Sequence, residues 1–385
     1  MTYDIDKPEN DDSHRCRKES DLVAKDKPAN TESAKYWSGL DPRDFSPAIF
    51  NEHVLQSGLD PQAARSWLAR IVHKVDFEPA SWNKYSKLPM VVCNAVGQLP
   101  RLRLDTMEVS PIDNFQKLRL ITHDHKAIET VLIPLEKPGA VSVCLSSQVG
   151  CAWGCTFCAT ARMPSRRNLA TWEIIDQMAH AFEITRNQGR RITGAVFMGM
   201  GEPLANYTRV MDAAELLSCS HGGMIKGDSM TISTVGVVPE IHRFIDERRR
   251  FRLSISMGSA IDEKRAKLVP VAARWPVREL MEAARRYALT YRHRVNLAYV
   301  CLADENMGED DIIAIRELVG DTPIRLDLIE VTDFTGNFRR PTIDELVHFR
   351  RRLMEELRQP VVRRYSGGAD IAAACGTLAG GFNAI

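Results

Sequence analysis

Three cysteines, Cys151, Cys155 and Cys158, stand as Cys-x-x-x-Cys-x-x-Cys just after an apolar run that begins at Val141. Three thiolates on one short loop can each hold one iron of a cubane 4Fe–4S cluster, leaving the fourth iron without a protein ligand. The softness of sulfur selects iron–sulfur or zinc over hard cations. A closed structural zinc site takes four protein ligands, usually as two close pairs, and no second Cys-x-x-Cys pair exists in the chain. An open iron can chelate the amino and carboxylate groups of S-adenosylmethionine (SAM) and pass an electron to its sulfonium. Because the loop follows directly on a β-like run, it opens at the C-terminal edge of a sheet, where parallel α/β folds place their chemistry.

The rest of the chain agrees with that placement. Apolar runs rich in Val and Ile, at about 141–146, 192–198, 229–235, 251–257, 294–302 and 323–330, are separated by longer helical patterns. Strands alternating with helices predict an α/β fold with a parallel sheet, here a partial (β/α)6 TIM-like barrel over 141–360. Local punctuation supports the helices. Pro276 sits at a first helical turn, Thr342-Ile-Asp-Glu345 is a capping-box pattern, and Gly320 is placed to end a helix. Ahead of the barrel, residues 38–105 carry short helical patterns and predict a small helical domain, and 106–140 turn β-like. Residues 1–37 are dense in charged residues and Ser, too poor in apolar surface to offset ordering, and predict a disordered tail. Residues 361–385 form a C-terminal loop.

Composition removes several classes of function. The 51 Lys and Arg against 50 Asp and Glu leave a net charge of +1, so RNA binding must come from local patches. No run of about 18 apolar residues is present, which predicts no membrane span. The N-terminus lacks a signal-peptide pattern, and nine cysteines with a cluster-type spacing fit a reducing cytoplasm.

Further candidates lie at strand ends. Met198-Gly-Met-Gly-Glu-Pro203 ends the second run; its glycines, Gly201 among them, let a ligand approach the backbone, and Glu202 offers a carboxylate for a ligand ammonium. Ser233 and Ser256 end the third and fourth runs, and either could bind a ligand hydroxyl or carboxylate. Cys144, seven residues before the cluster motif, and Cys375, in the small-residue segment Gly367–Gly376, read from composition alone as a core thiol and a free surface thiol.

Four segments in order resemble the RlmN–Cfr family: Ser146-Ser-Gln-Val-Gly-Cys through Cys158, Met198 through Leu204, Ser233-Thr-x-Gly-Val-Val-Pro239, and Asp370-Ile-x-Ala-Ala-Cys-Gly376. The resemblance runs from about residue 40 to the C-terminus. It implies a radical SAM methyltransferase acting on adenosine in large-subunit ribosomal RNA, tRNA or both. Two SAM molecules per turnover are implied. One methylates Cys375; the other, held by the cluster and Gly201, Glu202, Ser233, Ser256, Met257, Gly258 and Thr332, yields a radical that activates that methyl. Cys144 then resolves the covalent enzyme–RNA intermediate by disulfide formation, with Glu129 as proton acceptor. An RNA substrate, a reducing electron donor such as flavodoxin and a monomeric enzyme complete the expectation.

Three departures separate this chain from the family. Ser256-Met-Gly-Ser259 replaces Ser-Leu-His-Ala, Thr332-Asp-Phe-Thr-Gly336 replaces an Asn-Pro-Phe-Pro-Gly-type turn, and Arg364-Tyr-Ser-Gly-Gly-Ala369 replaces a basic-Gly segment. They leave open a paralogue that methylates carbon 8 or another RNA. A non-catalytic iron–sulfur RNA-binding sensor is the further alternative, disfavoured by the retained Cys144, Cys375 and Glu202. For RNA phosphates, Arg166, Arg167, Arg339, Arg340, Arg363 and Arg364 are expected at the open mouth.

Overall fold

The computed structural model describes residues 31–219, 223–333 and 336–379. Five short helices come first: α1 (Thr31–Trp37), α2 (Pro47–Gln56), α3 (Pro61–Lys74), α4 (Pro79–Ser86) and α5 (Met90–Val96). Proline at the first turn of α2, α3 and α4 supplies a preset φ where no backbone donor is needed, and Ser46 and Asp60 cap α2 and α3. Their core is aromatic: Trp37 lies edge-on to Trp67 at 5.0 Å, and Trp67 tilts against Trp82 at 5.6 Å, all fully buried. Trp37 therefore moves the domain boundary. The tail expected over 1–37 ends in an ordered helix at 31–37, because one tryptophan supplies the apolar surface that composition averaged away. The rest of that expectation lies outside the described residues.

A ten-stranded sheet follows. An antiparallel meander of β1 (Arg103–Val109), β2 (Gln116–Ile121) and β3 (Ala127–Pro134) pairs with β4 (Ala140–Cys144). From β4 onward the sheet is parallel, in the order β4, β7 (Arg191–Phe197), β8 (Met230–Thr234), β9 (Arg252–Ser256), β10 (Val295–Cys301), β11 (Ile324–Glu330) and β12 (Val361–Arg363). Strands β5 (Gln148–Val149) and β6 (Arg167–Asn168) form a separate antiparallel pair. The crossovers are α6 (Thr171–Asn187), α7 (Tyr207–Ser218), α8 (Val238–Asp246), α9 (Asp262–Leu268) with α10 (Val277–Tyr291), α11 (Glu309–Val319) and α12 (Ile343–Leu357). Six βα units thus form an open, partial barrel, with β1 and β12 as its edges.

The expected signals operate: Thr342 and Glu345 form the capping box of α12, Pro276 precedes α10, and Gly320 ends α11 at φ +48°. The short β12 was not visible in the sequence. Its three residues pair with Leu326–Leu328 of β11 and carry the chain back to the mouth of the barrel.

The helical domain is fastened to the barrel by one buried carboxylate. Asp176 of α6 accepts the Leu102 N–H at 2.7 Å and pairs with Arg101 at 2.8 Å and with the fully buried Arg43 at 3.5 Å. Burying so many charges is tolerable only because each has partners. Among the described residues no helix is long and apolar enough to cross a membrane.

Candidate active site

At the C-terminal ends of the parallel strands lies an open-mouthed cavity with about 1140 Å³ of empty space, mouth included. The three motif cysteines line one side. Their loop is closed at its base by the β5–β6 pair, with Gln148 opposite Asn168 and Val149 opposite Arg167. Just inside, Gly150 takes φ +63°, and a Cβ there would lie 2.3 Å from the Ser165 carbonyl, so only glycine fits this crossing. Thr156 N–H donates to the Leu268 carbonyl at 3.0 Å, tying the loop to the end of α9.

Burial pushes the Cys151 thiol up to about 12, with the neighbouring Cys158 and Glu202 adding to the rise. It raises Cys155 well above its ordinary value, reinforced by Cys158 and Cys151, and raises Cys158 as well. Three thiols that cannot all ionise in a buried pocket fit a cationic soft-metal guest, whose charge would hold them as thiolates. Among the described residues no histidine lines the cavity, and the all-cysteine donor set suits an iron–sulfur cluster on Cys151, Cys155 and Cys158.

Beside the cysteine loop, the Met198–Pro203 turn leaves β7. Its glycines answer first to the chain itself. A Cβ on Gly199 would lie 2.7 Å from the Leu145 carbonyl, and one on Gly201, at φ +103°, 2.6 Å from Gln148 Cβ. The expected close approach of a ligand is therefore joined by close approach of the loop after β4. Gln148 also receives the Glu202 N–H at 2.8 Å. The Glu202 carboxylate lines the cavity and accepts the Leu204 N–H at 2.9 Å and the Val235 N–H at 2.8 Å, bridging the ends of β7 and β8. Burial nevertheless pushes its carboxyl up to about 7.

Ser233, Ser256 and Gly258 line the same cavity, as expected. Met257 does not; it is buried, its N–H spent on the Ala298 carbonyl. Thr332 is half-buried and also lies off the lining, where Val331 takes its place. Gly258, at φ +74°, has its carbonyl occupied by Asn306 Nδ2 at 2.9 Å. Two residues missed in the sequence hold these turns. Buried Arg265 donates to the Met257, Val235 and Trp275 carbonyls at 3.1, 2.9 and 2.8 Å. Buried Asn306 donates to the Val300 and Gly258 carbonyls and accepts the Leu302 N–H. In sequence, Asp262-Glu-Lys-Arg265 looks like any solvated charge run.

Cys375 reaches the cavity from the C-terminal segment and is exposed. It lies near enough to Cys144 to help raise that thiol, which burial above all pushes up to about 12, and near enough to Cys158 to act on it too. The structure thus joins the two cysteines that composition alone separates. The segment is held from within by Ser366 and from two distant places, Ala159–Thr160 and Glu129. Ser366 Oγ accepts the Cys375 N–H at 2.9 Å, Ala159 N–H donates to the Gly376 carbonyl at 2.7 Å, and Thr160 Oγ1 to Leu378 O at 2.6 Å. Glu129 Oε2 accepts the Ala379 N–H at 2.9 Å, and Glu129 Oε1 lies 3.7 Å from Lys117 Nζ. Glu129 is buried and does not line the cavity.

The expected phosphate-binding arginines divide. Arg167 is clamped between Asp124 and Glu173, Arg339 between Asp304 and Glu345, and Arg340 and Arg363 share Glu330. Arg166 and Arg364 reach instead the Ala161 carbonyl and Met198 Sδ. Arg167 and Arg339 are thereby held in ion pairs, each with one acidic partner six residues along and one, Asp124 or Asp304, 43 or 35 residues away.

The Radical SAM superfamily model matches residues 145–318. A protein of Myxococcus xanthus named "Probable RNA methyltransferase" is 46% identical over 252 residues, covering 66% of this chain and 69% of its own length. A "Probable dual-specificity RNA methyltransferase RlmN" of Leptospira biflexa is 36% identical over 284 residues, covering 73% and 79%. In structure, a radical SAM methyltransferase from Sphaerobacter thermophilus superposes with a TM-score of 0.80 at 31% identity, over 88% of this chain and 98% of that one.

Proposed function

We propose a methyl-transfer function on RNA for this chain, which belongs to the RlmN family of radical SAM RNA methyltransferases. The reaction we infer places a methyl group on carbon 2 of adenosine in large-subunit ribosomal RNA, tRNA or both, by way of S-methylcysteine at Cys375. The observation that carries this reading is that Cys375 lines the same cavity as the three-cysteine loop, with buried Cys144 at the end of β4 near enough to feel the Cys375 charge. A bound 4Fe–4S cluster and SAM supply reductive cleavage of the sulfonium and hence a hydrogen-abstracting radical.

The protein's own groups account for the rest. An adenine C–H is too weak a nucleophile to attack SAM directly, whereas a thiolate is competent. Cys375, exposed at the cavity, takes a methyl from one SAM and presents it for activation by a second. Glu202 faces the cavity with both oxygens already oriented by backbone N–H groups, a fixed acceptor for the SAM ammonium. Once the activated methylene has bonded to the adenine carbon, Cys144, buried near Cys375, attacks the Cys375 sulfur. The sulfur–methylene bond breaks as the disulfide forms, and the methylene carbon leaves with the bonding electrons and takes a proton to become the methyl group. Glu129 takes the proton lost from adenine. In the described conformation its carboxylate is engaged by Ala379, so base entry requires that end of the segment to shift. A flavodoxin-like donor and a monomeric enzyme in the cytoplasm complete the reading.

A second reading is favoured by the relatives themselves. Proteins named only "Probable RNA methyltransferase" are 46% and 45% identical to this chain, those named RlmN 34–38%. The same cysteine chemistry on another RNA, or at carbon 8, would agree with the departures at Gly258 and Thr332. Mass spectrometry of nucleosides from separated ribosomal RNA and tRNA distinguishes the two: 2-methyladenosine supports the first, 8-methyladenosine the second.

A further inference from the structure

One part of the cavity rim has no place in the methyl-transfer scheme. Glu330 ends β11 and lines the cavity, and its carboxylate accepts Arg340 Nε at 2.9 Å and Arg363 Nε at 2.6 Å. The carboxylate side chain is 13% exposed, the two guanidinium side chains 62% and 45%. One half-buried negative charge therefore holds two more exposed positive ones, and the group keeps a net positive charge. Two residues beyond Arg363 stands Tyr365, with 65% of its surface exposed.

An exposed tyrosine ring ordinarily samples several rotamers, but this one is held at both ends. Its hydroxyl donates to Asp113 Oδ2 at 2.7 Å, and its ring meets Phe115 edge-on at 6.3 Å. The same Asp113 oxygen accepts the Gly368 N–H at 2.8 Å. Between them, Ser366 accepts the Cys375 N–H. Ring, guanidinium pair and the cavity cysteine are thus carried by one short stretch of backbone. An exposed aromatic ring two residues along the backbone from Arg363, near enough to Arg340 to feel its charge, fits an unpaired nucleobase with its phosphate, since stacking accepts any base and arginine matches phosphate geometry.

We propose that Tyr365, Arg340 and Arg363 form a nucleotide-binding platform on the rim, which stacks an unpaired base of the RNA next to the one presented to Cys375. This rests on the RNA reading above and deepens it. Glu330 acts as a positioning residue, holding the two guanidiniums together.

The test is titration of reconstituted full-length protein with a fluorescein-labelled single-stranded RNA oligonucleotide of mixed sequence, over a series of salt concentrations. Tyr365→Ala is expected to weaken binding about tenfold with the salt slope unchanged. Tyr365→Phe, which keeps the ring and loses the tether, is expected to stay within about threefold of the parent. Arg340→Gln with Arg363→Gln is expected to lower the slope of log affinity against log salt by about one. Thermal melts and iron content confirm that each variant is folded. If Tyr365→Ala binds like the parent, the platform is wrong. If Tyr365→Phe is as weak as Tyr365→Ala, the tyrosine is only a latch for the segment, and the platform is again wrong. If the parent binds no RNA while cleaving SAM, the RNA reading itself falls and takes the platform with it.

Discussion

The two sides of the cavity are built in opposite ways. On the cluster side, every turn is locked from behind. Gly201 abuts Gln148 with no room for a methyl group, Glu202 spans β7 and β8, and Arg265 satisfies three carbonyls at once. On the acceptor side, Cys375 sits exposed on a segment held by a few separate hydrogen bonds, two to Asp113 and one each to Ser366, Thr160, Ala159 and Glu129. The difference matches the work assigned to each. A radical source must be held still and dry, whereas a thiol that receives a methyl and later gives it up must change neighbours. The buried side is held by fully satisfied polar groups that are costly to break; the exposed side by bonds each worth about 1 kcal/mol.

The comparison is broken most severely by removing the thiol at the seam between the two sides. Cys144→Ala should leave iron content intact but halt release, so that RNA and protein remain covalently joined on a denaturing gel; release at the parental rate would deny Cys144 its role. Next in size, Arg265→Met leaves three carbonyls on the cluster side without their donor, and chemical denaturation should show a loss of roughly 3 kcal/mol. A loss within experimental scatter would mean that the strand ends hold themselves. Gly201→Ala, at positive φ and against Gln148, should cost roughly 2 kcal/mol in the same assay and weaken SAM binding.

Glu202 sharpens the contrast through pH. Burial pushes its carboxyl from 4.5 up to about 7 in the cofactor-free chain. Between those values the folded chain binds more protons than the unfolded one, so this group makes stability fall as pH rises through the window. Glu202→Gln should flatten that part of the stability profile, and an unchanged profile would show that another group sets it. The smallest effect belongs to the acceptor side. Asp113→Ala should cost about 1 kcal/mol and speed hydrogen exchange over residues 366–379 without changing it in the cluster loop. Equal acceleration on both sides would erase the distinction.

What the sequence disclosed follows the same division. The cluster loop, the Met198–Pro203 turn and the strand-end serines were legible because their chemistry depends on neighbouring residues in order. So were the six βα units, whose periodicity is local. Arg265 and Asn306 were not legible, because a buried polar residue that serves distant carbonyls looks the same in sequence as a solvated one. The acceptor side was hidden for a different reason: Asp113 meets Gly368, and Glu129 meets Ala379, across some 250 residues of chain. The arginines were only half legible, because sequence shows a charge and hides a distant partner, such as Asp124 for Arg167 and Asp304 for Arg339. Met257 and Thr332 sit beside lining residues, and a one-residue shift at a strand end turns a side chain away from the cavity.

The most direct test of the account compares cells that lack their own adenine-carbon methylases and express either this chain or its Cys375→Ala variant. Nucleosides from separated ribosomal RNA and tRNA would be read by mass spectrometry. The account predicts a 2-methyladenosine peak with the parent chain and none with the variant. No Cys375-dependent methyladenosine in either RNA, from a protein that carries its cluster and cleaves SAM, would contradict it.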